Sequence, residues 1–350
     1  MLLLFLGAEL KITDAQKPFK REFLSSRFAY KAESLYYAGN YQAAAREFER
    51  LLKEYEFSVF ADRRNQVKCG LGWCYIHLGR YRDAVEQLTP VTISVFSPRF
   101  EITAYYGLGV AAFNTGDYKT AYKHFARLTT SYPEFSEVIP DVMYYQGLAA
   151  FAMEAYGDAV KIWERLLEKY PRSKRAAKTA LKLADLYMKA GMPEKAREKL
   201  SWFQENFAGT PEAAYTLVLE GNILYEEGDI KDALDRYDRC VAQYPRSDAA
   251  KLAQAKMEEI FKKHSPEILA DSAFLAEHPR VAASLEYFPG LIAYNEGRYL
   301  EAYNFLTQFV QNHPADPRVP DALALAAECA LKKERPRDAL PLLELSLIHI

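Results

Sequence analysis

Apolar residues in the stretch 156–171 follow the period of an α-helix. Ala159, Trp163 and Leu166 recur at intervals of four and three positions, and charged residues fill most of the intervening sites. This spacing places the apolar side chains on one stripe and predicts an amphipathic helix. The helix is predicted to end at Tyr170, because the residue before a proline is pushed out of helical backbone angles.

The same pattern recurs along most of the chain. A small residue near the start of each amphipathic helix marks the register, and neighbouring marks lie 37 to 40 residues apart, with one gap of 69. The wide gap is predicted to hold a degenerate repeat, with its mark near residue 269 and its second helix at 266–277. The sequence therefore predicts about nine units with a mean period of about 37 residues. The marks that can be read directly are Ala44, Ala84, Ala121, Ala159, Ala196, Ala233, Ala302 and Ala339.

Each unit carries a further small residue upstream of its mark. It lies twelve positions earlier, within a segment whose apolar residues also keep helical spacing. A small side chain there lets the second helix approach closely, which would compensate for the roughly 1 kcal/mol that glycine costs a helix. Glycine turns such as 115–118 (Thr-Gly-Asp-Tyr) separate the two segments and are typical of a left-handed helix end. The upstream residues are Ala32, Gly72, Gly109, Gly147, Ala184, Gly221, Gly290 and Ala327.

The glycine turn, the small residues, the aromatic residue and the final proline recur at fixed positions of the repeat. In this pattern the chain resembles the tetratricopeptide-repeat family over about residues 20–345. The resemblance implies an all-α fold, an α-solenoid of about nine antiparallel helix pairs that forms a right-handed superhelix. Tyr-Pro-x-Ser boundaries, as at 244–247, most resemble a bacterial envelope subgroup, which includes the outer-membrane-protein assembly lipoprotein and the Tol-Pal accessory coordinator. The period is longer than usual for the family, and its tryptophan is absent, with Lys68, Tyr105 and Met143 in that place.

The two ends of the chain are interpreted separately from the repeat array, which is predicted to span residues 19–344. Residues 1–18 begin with an apolar run and fit the remnant of a signal peptide, an apolar helix end or a wrongly assigned start codon. No stretch approaches the roughly 20 apolar residues that a membrane-spanning helix needs. Residues 345–350 resemble the translated end of a transposon tag and are interpreted as a non-native tail. The alternative is an ordinary apolar helix end.

Charge and composition exclude several functional classes. Lys plus Arg number 45 and Asp plus Glu number 47, a net charge of −2, which argues against a protein dominated by nucleic-acid or membrane-surface electrostatics. Four cysteines form no disulfide framework. The six histidines are scattered, and neither a His-Glu-x-x-His nor a Cys-x-x-Cys motif occurs. The chain is therefore predicted to be no enzyme and to use neither a cofactor nor a metal.

Partner-binding residues are expected on the first helices, because these line the concave surface of a superhelical array. Tyrosine there offers area and a hydrogen-bonding tip to a peptide, although it can also serve only to pack repeats together. Between residues 172 and 199, nine basic and three acidic residues leave an excess of six positive charges, which suits either an acidic partner segment or a solvated face. Asn222 fits a position where some relatives clamp a carboxylate, but Val218 replaces their lysine. The candidates are Tyr106, Tyr144, Lys178, Lys182, Asp185, Asn222, Tyr225, Tyr287 and Tyr294.

Together these features predict a non-catalytic scaffold that binds a peptide or protein partner on its concave face, in bacterial envelope assembly. The alternative is the repeat region of a longer protein whose enzymatic or signalling module is missing. The expected compartment is the bacterial periplasm or envelope, with the cytoplasm as the alternative. The expected partner is a protein, in a membrane-associated complex, and not a nucleic acid.

Overall fold

The computed structural model describes residues 12, 15, 28–54, 61–93, 98–135, 137–269 and 271–348. Every regular element in these ranges is helical, with eighteen α-helices, two short 3-10 helices and no strand. The predicted all-α class is confirmed. The first helices of the pairs are α1 (Tyr30–Tyr37), α3 (Ala61–His77), α5 (Pro98–Asn114), α7 (Ile139–Ala152), α9 (Ala176–Lys189), α11 (Ala214–Glu226), α13 (Asp248–Leu269), α15 (Pro279–Asn295) and α17 (Val319–Lys332). The second helices are α2 (Tyr41–Glu54), α4 (Tyr81–Leu88), α6 (Tyr118–Ser131), α8 (Tyr156–Lys169), α10 (Pro193–Phe207), α12 (Ile230–Gln243), α14 (Ser272–Glu277), α16 (Tyr299–Asn312) and α18 (Pro336–Ile348).

The chain divides into two compact units, Met1–Leu186 and Tyr187–Ile350. Within each unit consecutive helices pack against each other, as α5 does against α6 in the first and α15 against α16 in the second. The second helices bury a mainly apolar face and expose the opposite, polar face, as in α8 and α12. This is the amphipathic pattern predicted for them. The right-handed superhelix stays a prediction.

The small residue of a first helix marks the place where its second helix comes closest. A Cβ atom added at Gly147 would lie 2.1 Å from Nε1 of Trp163. One added at Gly109 would lie 2.4 Å from the ring of Phe125. The aromatic side chain of the second helix thus fills the space that a side chain on the first helix would need. The predicted role of these glycines in close packing is confirmed.

In every pair except α13–α14, the turn between the two helices uses a residue with positive φ. Gly116 has a φ of 83° after α5, which confirms the predicted left-handed helix end. At the same position in two other pairs, Glu154 and Glu334 adopt φ values of 61° and 57°. These two turns therefore carry a side chain where the backbone conformation favours glycine.

The degenerate repeat has a different boundary from the predicted one. Helix α13 continues to Leu269, so the predicted mark near 269 and the predicted helix start at Pro266 both lie in a first helix and are wrong. The second helix α14 has six residues and begins at Ser272. It begins there because the carboxylate of Asp271 accepts a hydrogen bond from the Phe274 N–H at 2.9 Å and caps a new helix. The count of nine repeats stays a prediction.

Most of the predicted signal remnant at 1–18 lies outside the described residues, so that interpretation stays a prediction. Helix α18 includes residues 345–348 of the predicted non-native tail, and the last two residues lie outside the described range. The tail interpretation and the bounds 19–344 of the array also stay predictions. Among the described helices, none combines the length and apolar character that crossing a bilayer requires.

Candidate partner-binding surfaces

Three of the predicted tyrosines share one register, three residues before the small residue of a first helix. Tyr106, Tyr144 and Tyr287 have exposed fractions of 0%, 1% and 6%. Their rings therefore pack between helices, which agrees with the packing alternative for these tyrosines. Their part in partner binding stays a prediction.

A buried charged cluster surrounds Arg175, the residue just before α9. Its Nε and the hydroxyl of Tyr106 both donate to the carboxylate of Asp141 on α7, and another guanidinium nitrogen donates to the hydroxyl of Tyr145. The guanidinium carbon lies 5.0 Å from the ring centre of Tyr144 and 4.8 Å from that of Tyr145. Burial raises the pKa of Tyr106, so its hydroxyl keeps its proton and remains a donor. The cluster thus links residues of successive first helices.

A similar arrangement surrounds Arg318 in the second unit, just before α17. Its Nε and one terminal nitrogen each donate to the carboxylate of Asp316 at 2.8 Å, and the other terminal nitrogen donates to Ser284 Oγ at 2.6 Å. The guanidinium carbon lies 5.4 Å from the ring centre of Tyr287. Arg175 and Arg318 both stand nine residues before the small residue of their helix. Sequence reasoning missed this position, although the recurrence of arginine in that register was a readable signal.

The predicted basic segment 172–199 is only partly accessible at its candidate residues. Lys174, just before α9, is exposed and Lys178 is half-buried, whereas Lys182 and Asp185 have exposed fractions of 3% and 2%. A charged partner segment can therefore reach Lys174 and part of Lys178, and not Lys182.

The predicted residues of the second unit also differ in exposure. Asn222 is 8% exposed, and its amide oxygen accepts a hydrogen bond from the Tyr237 hydroxyl at 2.8 Å. Tyr225 and Tyr294 are half-buried. A hydrogen bond with Glu328 raises the pKa of Tyr294. Tyr225 and Tyr294 are thus the accessible members of the predicted set in this unit.

Sequence reasoning missed two grooves between second helices of the first unit. The larger, of about 720 Å³, lies between α4 and α6 and has α5 as its floor. Val85, Tyr105 and Leu108 contribute apolar walls, and His124 lies beside them. Burial lowers the pKa of His124, which favours the neutral ring. The smaller groove, of about 300 Å³, is lined by α6, α7 and α8, and its charged residues are Lys161, Arg165, Lys169 and Asp158.

The described residues contain no group of three or more His, Cys, Asp or Glu side chains that could hold a metal ion. All four cysteines are buried. Burial raises the pKa of Cys74 to about 12, so its thiol is a poor nucleophile and a poor metal ligand at neutral pH. The cysteines act as small core residues.

Comparison with known proteins finds family models that match parts of the chain. Two sequence models described as tetratricopeptide repeat match residues 31–89 and 103–134. The chain contains tetratricopeptide repeats. The family model YfiO, described as outer membrane lipoprotein, matches residues 136–271 of the repeat array. No curated protein matches the chain significantly.

Solved structures resemble the tetratricopeptide-repeat chain in fold. The structure of pilF from Pseudomonas aeruginosa is 18% identical, with a TM-score of 0.50, over 68% of this chain and 99% of pilF. A crystal structure of MamA is 20% identical, with a TM-score of 0.42, over 50% of this chain and 93% of MamA. At such low identity the likeness to pilF shows the repeat fold alone.

Proposed function

We propose that this tetratricopeptide-repeat chain is a non-catalytic scaffold that binds a peptide or protein partner in a membrane-associated complex of the bacterial envelope. The match of residues 136–271 to the outer membrane lipoprotein family is the observation that carries the proposal. Stacked helix pairs offer extended surfaces for a partner chain and do not need an enclosed reaction chamber.

The proposed partner-binding surface lies on the first helices. In the first unit, Lys178 is a half-buried residue of the predicted basic segment and stands one turn from exposed Lys174. Two neighbouring cations favour an acidic partner segment, since complementary charge steers association. In the second unit, half-buried Tyr225 and Tyr294 leave part of their side-chain surface exposed for contact.

Photocross-linking in intact bacteria tests this surface. A photoreactive residue in place of Lys178 should cross-link a discrete partner, and the cross-link should weaken when Lys174 is also changed to Glu. The matched control is the same replacement at Lys53, an exposed position on second helix α2 that lines neither groove. Cross-links that form at position 53 and not at 178 would contradict the assigned surface.

Cell fractionation tests the proposed compartment. The full-length native protein should be recovered with the envelope fraction, because the matched family is described as outer membrane lipoprotein. Recovery only from the cytoplasm would overturn the envelope role and leave the protein-binding proposal standing.

A further inference from the structure

The main chain of Ile12 is bound by a side chain far away in the sequence. The Ile12 N–H donates to Oδ1 of Asn114 at 2.5 Å, and Nδ2 of Asn114 donates to the Ile12 carbonyl at 3.0 Å. One amide side chain thus satisfies both main-chain groups of one residue. Ile12 is 4% exposed, so its side chain is also enclosed.

The two hydrogen bonds recognise the main chain of Ile12 and do not depend on which side chain it carries. A carboxamide carries one acceptor and one donor group, and so it pairs with the N–H and C=O of an extended residue as a neighbouring β-strand would. Asn114 is the last residue of first helix α5, on the class of helix where the partner-binding surface is proposed. A surface that holds Ile12 in this way suits any extended peptide of similar bulk.

We propose that the chain carries its own peptide ligand, with Ile12 bound at a main-chain-reading site on Asn114, for which an extended segment of a partner competes. The proposal adds an intramolecular ligand to the proposed function. It rests on that function in one respect, because the competitor is taken to be a segment of the protein partner. Bound Ile12 keeps the site occupied until a partner displaces it.

The chain between Ile12 and helix α1 is long enough for Ile12 to reach Asn114. Seventeen residues separate Ile12 from the start of α1 at Tyr30, and an extended chain spans about 3.3 Å per residue. Neighbouring packed helices lie about 8–10 Å apart, so the distance from α1 to α5 is well within reach. Binding of Ile12 is intramolecular, because it belongs to the same chain as Asn114, whereas an external peptide must bind from solution. A competing peptide must therefore be tight-binding or abundant.

Hydrogen exchange of the Ile12 amide tests the contact in the full-length chain without altering it. The amide should be protected in the native protein, and Asn114→Ala should speed its exchange on the order of tenfold, the effect of losing about two neutral hydrogen bonds. The matched control is Asn295→Ala, because Asn295 occupies the same position at the end of first helix α15 and is exposed. Unchanged exchange within α5 shows that the helix itself remains folded.

Two results would overturn the intramolecular ligand. One is exchange of the native Ile12 amide at the rate of an unprotected peptide. The other is protection that Asn114→Ala leaves unchanged. Neither result involves an external partner, so both are distinguishable from failure of the scaffold proposal.

A synthetic peptide of residues 9–15 (Glu-Leu-Lys-Ile-Thr-Asp-Ala) tests competition for the site. At millimolar concentration it should speed exchange of the Ile12 amide of the full-length chain several-fold. The same peptide with an N-methylated isoleucine lacks the donor that Asn114 binds and should have no effect. Equal effects of the two peptides, or no effect of either, would overturn recognition through the main chain.

Discussion

At the residue scale, the buried arginines are a shared polar feature of the two units. Taking a guanidinium out of water costs several kcal/mol unless a counter-charge and hydrogen bonds compensate. Asp141 supplies that charge to Arg175, and Asp316 supplies it to Arg318. Burial alone would raise the pKa of Asp316, but the hydrogen bonds and charge of Arg318 outweigh it and lower that pKa. Both clusters therefore hold charged partners in the core.

Asp141→Ala should destabilise the first unit. It leaves the Arg175 guanidinium buried without its carboxylate, for which the expected loss in the free energy of unfolding is about 3–5 kcal/mol. The control is Asp83→Ala, because the Asp83–Arg80 ion pair is exposed to solvent, and it should cost less than about 1 kcal/mol. Urea unfolding followed by circular dichroism measures both losses. Equally small losses would contradict the importance of the buried pair.

At the element scale, the close packing of α7 against α8 requires a residue without a side chain at position 147. Gly147→Ala should destabilise the pair α7–α8 by about 1–3 kcal/mol, because the new methyl group would collide with the indole of Trp163. Gly157→Ala is the matched control on α8, since a Cβ there meets nothing within 4 Å. That control should be neutral or stabilise the helix by up to about 1 kcal/mol. Thermal unfolding would contradict this account if the two variants were equally stable.

The turns permit a prediction of the opposite sign. Glu154→Gly should stabilise the chain by about 1 kcal/mol, because a left-handed conformation costs a residue with a Cβ about 1–2 kcal/mol. The reverse change, Gly116→Glu, should destabilise by a similar amount, since that glycine has a φ of 83°. Denaturant midpoints at constant slope report both changes. A lower midpoint for Glu154→Gly would show that its side chain stabilises the turn.

At the scale of the whole molecule, repeat arrays respond locally to damage, because each helix pair contacts its neighbours and few other elements. The four buried thiols report this response, as they become reactive when the surrounding helices open. Cys69 and Cys74 belong to the first unit, and Cys240 and Cys329 to the second.

In moderate urea, Gly147→Ala should increase alkylation of Cys69 and Cys74 severalfold more than alkylation of Cys240 and Cys329. The substituted position lies in the compact unit that holds the first two thiols, and partial opening takes place in contiguous cooperative units. Mass spectrometry after iodoacetamide treatment measures each site. A uniform increase at all four thiols would mean that the chain unfolds as one cooperative body.

Features that arise from local backbone demands were predictable. Gly147 was predictable because it lies twelve residues before the register mark Ala159. The left-handed conformation of Gly116 was predictable because this glycine follows the end of a helix. The boundary near Pro266 was mispredicted, because proline suggests a helix start whereas α13 continues through that position to Leu269. The exposure of Tyr144 could not be read from its register. The exposure of a side chain depends on every segment of the chain that packs over it. The position in the repeat predicts only the face of the helix on which the side chain lies.

The sequence by itself determined the helical pairs, their approximate thirty-seven-residue period and the glycines that permit close approach, because these depend on neighbours a few positions apart. Tertiary structure alone decided that Asp141 meets Arg175 and that Asn114 meets Ile12. Such contacts join residues 34 and 102 positions apart, and no local periodicity encodes them. They form only when stacking brings distant helices together and desolvation makes each polar group depend on a partner.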